Sequence, residues 1–178
     1  WKNRKPFEGY WQQDVHYNIK AEVDDMLDII SGNEQLTYWN NSPDTLEYVY
    51  FHLFQNAFQP GSYLDDLMLA NGVNARYSRW EKDKRGTVIE RIQSGNLDMR
   101  TESDNTVLKV YLQKPLLPDD SVTFRIDFKS YYGNGGVRRR MQLFSSWGHK
   151  HYNGAQWFPK ISVYDRKFGW TADQHLNK

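Results

Sequence analysis

Two histidines near the C-terminal end of the sequence have the spacing of a metal-binding pair. His149 and His151 flank Lys150, so an extended strand would place both imidazoles on one face. Such a pair binds Zn²⁺ or Cu²⁺ when one or two further ligands converge on it. Asp165 and His175 are the candidates, but nothing in their spacing brings them near. The pattern is therefore more typical of a surface strand than of a metal centre.

The same region contains residue types that a nucleophilic site would need. Ser145 and Ser146 lie close to His149 in sequence, and a serine nucleophile needs a histidine base and an orienting carboxylate. The Gly-x-Ser-x-Gly turn that exposes such a serine is absent. A small hydrolase that uses His149 is therefore the least favoured of three functional hypotheses.

Acidic and glycine-rich motifs are better explained by turns than by chemistry. The pairs Asp24-Asp25, Asp65-Asp66 and Asp119-Asp120 all lie in turn-like sequence, where Asp caps or bends the backbone. The run GNGG (133–136) lacks the Lys-Ser/Thr of a phosphate loop and is typical of a hairpin turn.

Two isolated basic or imidazole features also have structural interpretations. Arg138 and Arg140 would share a strand face and could grip a carboxylate or phosphate, although a solvated, charged edge strand is favoured. His52 lies within an apolar strand, where a partly buried histidine with a satisfied partner is commoner than a metal ligand.

The elements that would position these residues have a hydrophobic period of two, which predicts strands. In YWQQDVHYNIKAEVD (10–24), apolar residues from Val15 to Val23 alternate with polar ones. Both faces of TLEYVYFHLF (45–54) are apolar, which predicts a central strand covered on two sides. The other predicted strands are 33–40, 86–93, 96–101, 105–113, 121–130 and 137–147.

These short strands, separated by turn signals, predict an all-β fold: an antiparallel β-sandwich with a short helical or irregular insertion near 55–85. Within the insertion, Ser62 is the expected N-cap of a short helix, with Asp65 and Asp66 in its first turn.

Composition excludes several classes of partner and site. The 178 residues carry a net charge of +1, which gives no electrostatic argument for nucleic acid, and no run is apolar enough for a membrane span. There is no cysteine, so disulfides and thiolate-bound zinc are excluded. The composition does not determine the cellular compartment. An extracytoplasmic location, periplasmic or secreted, stays open, although these residues show no signal sequence.

Several segments, taken in order, resemble a known family. They are DVHYNIKAEVD, ISGNEQLTYWNNS, TLEYVYFHL, LKVYLQKPLLPDDSVTFRIDF and QWFPKISVYD. Over roughly residues 10–165, except for the insertion, the chain resembles the N-terminal β-domain of the aminopeptidase-N-like (gluzincin) zinc metallopeptidases.

The resemblance implies a saddle-like, non-catalytic sandwich that packs on a separate catalytic domain and shapes its substrate cleft. That domain would carry zinc on a His-Glu-x-x-His motif and act on peptides. None of the five histidines here is followed by Glu. We therefore expect residues 1–178 to be a single N-terminal domain that has no cofactor of its own and belongs to a larger metallopeptidase.

The resemblance also implies site residues. In the family, the segment that matches QWFPKISVYD lines the junction with the catalytic domain, and a Glu or Gln shortly before it holds the free amine of the substrate. The usual spacing leads to Lys150, which would repel an ammonium group; Gln156 is the nearest amide and Asp165 the nearest following acid. Either the loop has a different register here, or the parent enzyme does not anchor an amine in this way.

The junction hypothesis makes a prediction about exposure. Trp157, Phe158 and Tyr164 would face a domain that this chain lacks, so we expect them to form an exposed apolar patch or a self-association surface. The competing hypothesis is a stand-alone carbohydrate- or peptide-binding sandwich. Its stacking rings would be Trp39, Trp80, Trp147 and Trp157.

Overall fold

The structure, a computed structural model, describes residues 7–134 and 141–176. Its strands, in chain order, are β1 (Asp14–Asp24), β2 (Ile29–Trp39), β3 (Leu46–His52), β4 (Thr87–Ser94), β5 (Leu97–Asp98), β6 (Thr101–Asp104), β7 (Val107–Leu116), β8 (Ser121–Tyr131), β9 (Met141–Ser146), β10 (His149–Gly154), β11 (Lys160–Ile161), β12 (Tyr164–Asp165) and β13 (Gly169–Trp170). The predicted glycine-rich turn is described only in part, and Arg138 and Arg140 lie outside the described residues.

Two antiparallel sheets form a sandwich, as predicted. The five-stranded sheet has the order β1-β2-β8-β4-β5, and the four-stranded sheet has the order β11-β3-β7-β6. One core cluster joins them, with Leu36 and Phe124 from the first sheet and Phe51 and Val110 from the second, all fully buried. The strands β9 and β10 form a separate hairpin, and β12 pairs with β13.

The predicted insertion is helical. It contains a 3₁₀ helix (Phe54–Ala57), α1 (Tyr63–Ala70) and α2 (Arg79–Lys82). Ser62 is the N-cap of α1, because its Oγ accepts a hydrogen bond from the Asp65 backbone N–H at 3.0 Å. The same hydroxyl donates to the Ala57 carbonyl oxygen at 2.6 Å, so this residue ties α1 to the 3₁₀ helix.

β1 departs from its sequence prediction. Its alternation is correct, since Tyr17 and Ile19 pack on the core, but Val15 and Val23 remain 43% and 50% exposed. The reason is position: β1 is the edge strand of its sheet and pairs only with β2. The second sheet does not extend far enough to cover the whole apolar face of this strand.

A carboxyl group interrupts the core side of the first sheet. Glu34 is fully buried, and its cross-strand neighbours in one row are Ile19, Ile126 and, one strand further, Ile92. Neither carboxyl oxygen has a hydrogen-bond partner among the described residues. Burial raises the pKa of Glu34 to about 8, so the side chain is mostly a neutral acid even at neutral pH.

Candidate functional site: the junction segment and its cleft

The segment from residue 155 to residue 165, here called the junction segment, crosses between the two sheets. At its start, the buried Gln55 Nε2 donates to the carbonyl oxygens of Ala155 and Gln156, both at 3.1 Å. The Ser130 Oγ of β8 then donates to the Trp157 carbonyl oxygen at 2.5 Å. Buried polar groups from two separate elements therefore fix the course of the backbone.

The second half of the segment joins the other sheet. Ile161 donates its backbone N–H to the Tyr17 Oη at 3.0 Å, and Ser162 donates to the Tyr50 carbonyl oxygen at 2.7 Å. Residues Lys160 and Ile161 form β11, which pairs with the end of β3. The segment is thus an integral part of the sandwich and not a loose tail.

The aromatic side chains Trp157 and Phe158 are half-buried. The Trp157 ring lies 6.0 Å from that of Phe128 and 5.3 Å from that of Phe158, and Phe158 in turn meets Tyr17 at 5.5 Å. The expectation of an exposed patch made by these rings is therefore wrong for this chain. The sandwich core offers enough apolar surface to cover much of each ring.

Tyr164 is also half-buried, between Trp11 and Trp170, whose ring centres lie 5.7 Å and 5.0 Å away. Its hydroxyl donates to the Asp44 Oδ2 at 2.8 Å. Burial first, and then the Asp44 carboxylate, raises the pKa of Tyr164 to about 12. This ring links the junction segment to the loop before β3.

The acidic and basic candidates have structural partners. The Asp165 Oδ1 accepts the backbone N–H groups of Lys167 and Phe168, at 2.7 and 2.8 Å, and so closes the turn between β12 and β13. Lys150, on β10, forms an ion pair with Asp28 at 2.7 Å. It therefore holds the β9–β10 hairpin against the β1–β2 turn, and its ammonium group faces a carboxylate.

An apolar cleft of about 560 Å³ lies beside the junction segment. One wall is the stretch from Phe7 to Tyr17 and the other is the stretch from Lys160 to Lys167. Next to the cleft, Val163 and Phe168 are 62% and 69% exposed. The exposed apolar surface predicted for this region is thus present, but other residues than those expected provide it.

Sequence reasoning missed the cleft because its walls are separated by more than 140 residues. The N-terminal stretch from Phe7 to Gln13 has no strand periodicity, and neither wall predicts the other. The only signal was the density of rings in it, Phe7, Tyr10 and Trp11.

The histidine pair does not form a metal site in the described part of the chain. No group of three His, Asp or Glu side chains able to hold an ion occurs among residues 7–134 and 141–176. His149 and His151 are exposed on β10, and His175 packs instead against Phe54, with ring centres 5.2 Å apart. The zinc ion that the family resemblance implies would belong to the separate catalytic domain.

The serine–histidine hypothesis gains no support from the geometry. Ser146 lies opposite His149 in the β9–β10 ladder, but no hydrogen bond between them is found in the described structure, and both are exposed. His52 is a partly buried histidine with a hydrogen-bond partner, as expected. One ring nitrogen lies 3.1 Å from the Thr171 carbonyl oxygen, and burial lowers the pKa of His52.

The four tryptophans of the binding-module hypothesis lie on four different elements. Trp39 ends β2, Trp80 is in α2, Trp147 is at the tip of the β9–β10 hairpin and Trp157 is in the junction segment. No ring contact joins any two of them within the described residues. They therefore do not make a single stacking platform.

No protein-family model and no curated protein matches this sequence. Solved structures do. The M1 zinc metallopeptidase from Deinococcus radiodurans matches with a TM-score of 0.50 and 16% identity, over 85% of this chain and 29% of that chain. A mutant of that enzyme bound to a Tyr-Ser-Ala substrate matches with a TM-score of 0.50 and 15% identity, over 84% and 29%.

This likeness concerns the fold. The chain has the β-sandwich architecture found in part of an M1 zinc metallopeptidase, and the family resemblance inferred from the sequence is confirmed at that level. The chain spans less than a third of the length of the structures it matches. No helix in the described structure is both long and apolar enough to cross a bilayer.

Proposed function

We propose that residues 1–178 are the non-catalytic N-terminal β-sandwich domain of an aminopeptidase-N-like zinc metallopeptidase. The observation that carries the proposal is the fold match, which covers 85% of this chain but only 29% of an M1 zinc metallopeptidase. The motifs that suggested the family support it, because they form β1, β3 and the β7–β8 turn of that same fold.

In this proposal the partner is the catalytic domain of the same protein, which would carry the zinc ion and cleave peptides. Residues 7–134 and 141–176 of this chain contain no group of three His, Asp or Glu side chains that could hold the ion. The chain would dock through the junction segment and the apolar surface beside it, where Val163 and Phe168 are exposed. Docking there would place the sandwich at one side of the substrate cleft.

The individual roles follow from what each side chain already contacts. Trp157 and Phe158 are half-buried and present their remaining surface, so they are the proposed domain contacts, together with Gln156. Lys150 is paired with Asp28 and Asp165 closes a turn. We therefore assign those two a supporting role and propose no contact between them and the amine of a peptide.

A direct test measures peptidase activity. The 178-residue chain, incubated with Zn²⁺ and aminoacyl-p-nitroanilide substrates, is expected to release no nitroaniline above the buffer rate. Turnover that follows added chain and disappears with a chelator would overturn the proposal. A second experiment uses the catalytic domain of the proposed parent protein. Addition of this chain should lower the KM of that domain for peptides.

The binding-module hypothesis differs from the domain hypothesis in the ligand that it predicts. A stand-alone module would bind a glycan or peptide in the absence of any catalytic domain, which a glycan array and a tryptophan-fluorescence titration would detect. Saturable binding in those assays, with no effect of the chain on the peptidase, would favour the module over the domain.

A further inference from the structure

The free edge of β1 is the longest unpaired strand edge in the described structure. All eleven residues of β1 pair with β2 in one uninterrupted register, and no strand pairs with its other side. The other edges of the two sandwich sheets are β5 and β11, with two residues each, and β6, with four, while the hairpin strands β9 and β10 have six residues each. Short edges resist pairing with another chain, whereas a long regular one invites it.

β1 lacks most of the features that block edge pairing. It contains no proline and no bulge, and eleven residues extend over about 37 Å. On its core-facing side, the half-exposed Val15 and Val23 stand at equal distances from Ile19. This symmetry gives the edge a complementary surface in a second copy of itself.

We propose that two copies of this chain associate through antiparallel pairing of their β1 strands, centred on Ile19. In that register Val15 of one copy faces Val23 of the other, and Tyr17 faces Ala21. Each half-exposed valine is covered by its counterpart, and a large ring meets a small side chain. The two five-stranded sheets become one continuous sheet across a twofold axis.

Apolar pairing favours this register over its neighbours, because only a centre at Ile19 sets Val15 opposite Val23. On the polar face it sets His16 opposite Glu22 twice, by symmetry, and Asn18 opposite Lys20 twice. If the centre of the register moves one residue toward the C-terminus, Lys20 of one copy lies directly opposite Lys20 of the other. A shift the other way sets Asp14 against Glu22, and like charges placed opposite each other destabilise strand pairing.

Two like-charged pairs remain, one at each end of the proposed interface. Asp14 would face Asp24, but each carboxylate already has partners in its own chain. The Asp14 Oδ2 accepts from the Asn41 Nδ2 at 2.9 Å, and the Asp24 Oδ1 accepts from the backbone N–H groups of Met26 and Leu27.

The test of association uses the 178-residue chain as it is. Sedimentation equilibrium over a wide concentration range should give a reversible dimer, and a monomer throughout that range would overturn the proposal. Glu22→Lys should weaken the dimer about tenfold, because the carboxylate that faces the His16 imidazole is lost from both symmetry-related pairs. The exchange His16→Glu with Glu22→Lys should restore it, whereas Glu47→Lys, an exposed charge reversal on β3, should have no effect.

The register is tested by cross-linking, which a chain without cysteine makes clean. Asn18→Cys and Lys20→Cys are exposed positions that the proposed register places opposite each other. Directly opposed residues bring Cβ atoms within reach of a disulfide. An equal mixture of the two variants should form a mixed disulfide dimer, and each variant alone should not. Equal cross-linking of either variant alone, or no mixed dimer, would overturn the proposal.

Discussion

The buried carboxyl group of Glu34 is the residue with the clearest pH-dependent consequence. In the unfolded chain this acid ionises with a pKa near 4.5, whereas in the folded chain burial raises the pKa to about 8. Between those values the unfolded state has lost the proton that the folded state retains. Folding stability is therefore highest below about pH 4.5 and falls as pH rises toward 8.

We predict that Glu34→Gln removes most of this pH dependence. The wild-type chain should lose several kcal/mol of unfolding free energy between about pH 5 and pH 8, about 1.4 kcal/mol for each unit of pKa difference. The variant should lose far less, because an amide does not ionise. Urea denaturation at a series of pH values measures both curves.

The control for this prediction is Glu47→Gln, which removes an exposed carboxylate from β3. It should leave the wild-type pH profile unchanged. Parallel pH profiles for wild type and Glu34→Gln would mean that Glu34 is ionised in the folded chain and has a partner.

At the scale of elements, the junction segment depends on the 3₁₀ helix that anchors it. The Gln55 side chain donates to two carbonyl oxygens at the start of the segment, those of Ala155 and Gln156. We predict that Gln55→Leu destabilises the chain by about 1–3 kcal/mol, because two partly buried carbonyl groups lose their donor. Hydrogen exchange should accelerate first at residues 155–162.

An exposed glutamine provides the matched comparison. Gln113→Leu makes the same chemical change at an exposed position on β7 and should alter stability by less than about 0.5 kcal/mol. If Gln55→Leu were equally mild, the junction segment would be held by its apolar contacts alone.

The helical insertion has its own anchor at Ser62. We predict that Ser62→Ala lowers the unfolding free energy by about 1–2 kcal/mol, because α1 loses its N-cap and the Ala57 carbonyl oxygen loses a donor. Ser103→Ala, at an exposed position on β6, serves as the control. Urea denaturation with an unchanged m-value for both variants would show that only the native state is affected. Equal stability of the two variants would contradict a capping role.

At the scale of the whole molecule, the proposed catalytic partner and the proposed twofold partner use adjacent surfaces, because Val15 and Tyr17 of β1 belong both to the wall of the cleft and to the proposed twofold interface. The first would cover the junction segment and the exposed side chains Val163 and Phe168, and the second the free edge of β1. Failure of the peptidase tests would leave the β1 dimer standing, and the reverse also holds. The two associations are measured separately: sedimentation of the chain alone measures the dimer, and the peptidase assay with the catalytic domain present measures docking.

The sequence by itself determined the fold class, because the period of two that marks a strand is visible in neighbouring residues. The alternation along β1 and β8, the apolar faces of β3 and the cap at Ser62 were all correctly predicted from neighbouring residues. The ordered motifs also identified the family whose fold the structure matches. Each of these signals lies within a dozen residues along the chain.

Only the tertiary structure decided how exposed each apolar residue is and which distant segments meet. Trp157 and Phe158 are half-buried because Phe128 and Tyr17, both far away in sequence, happen to lie beneath them. The neutral state of Glu34 and the cleft beside the junction segment have the same origin. The burial and the pKa of a side chain depend on the residues that pack against it from distant parts of the chain. Local periodicity does not identify those residues.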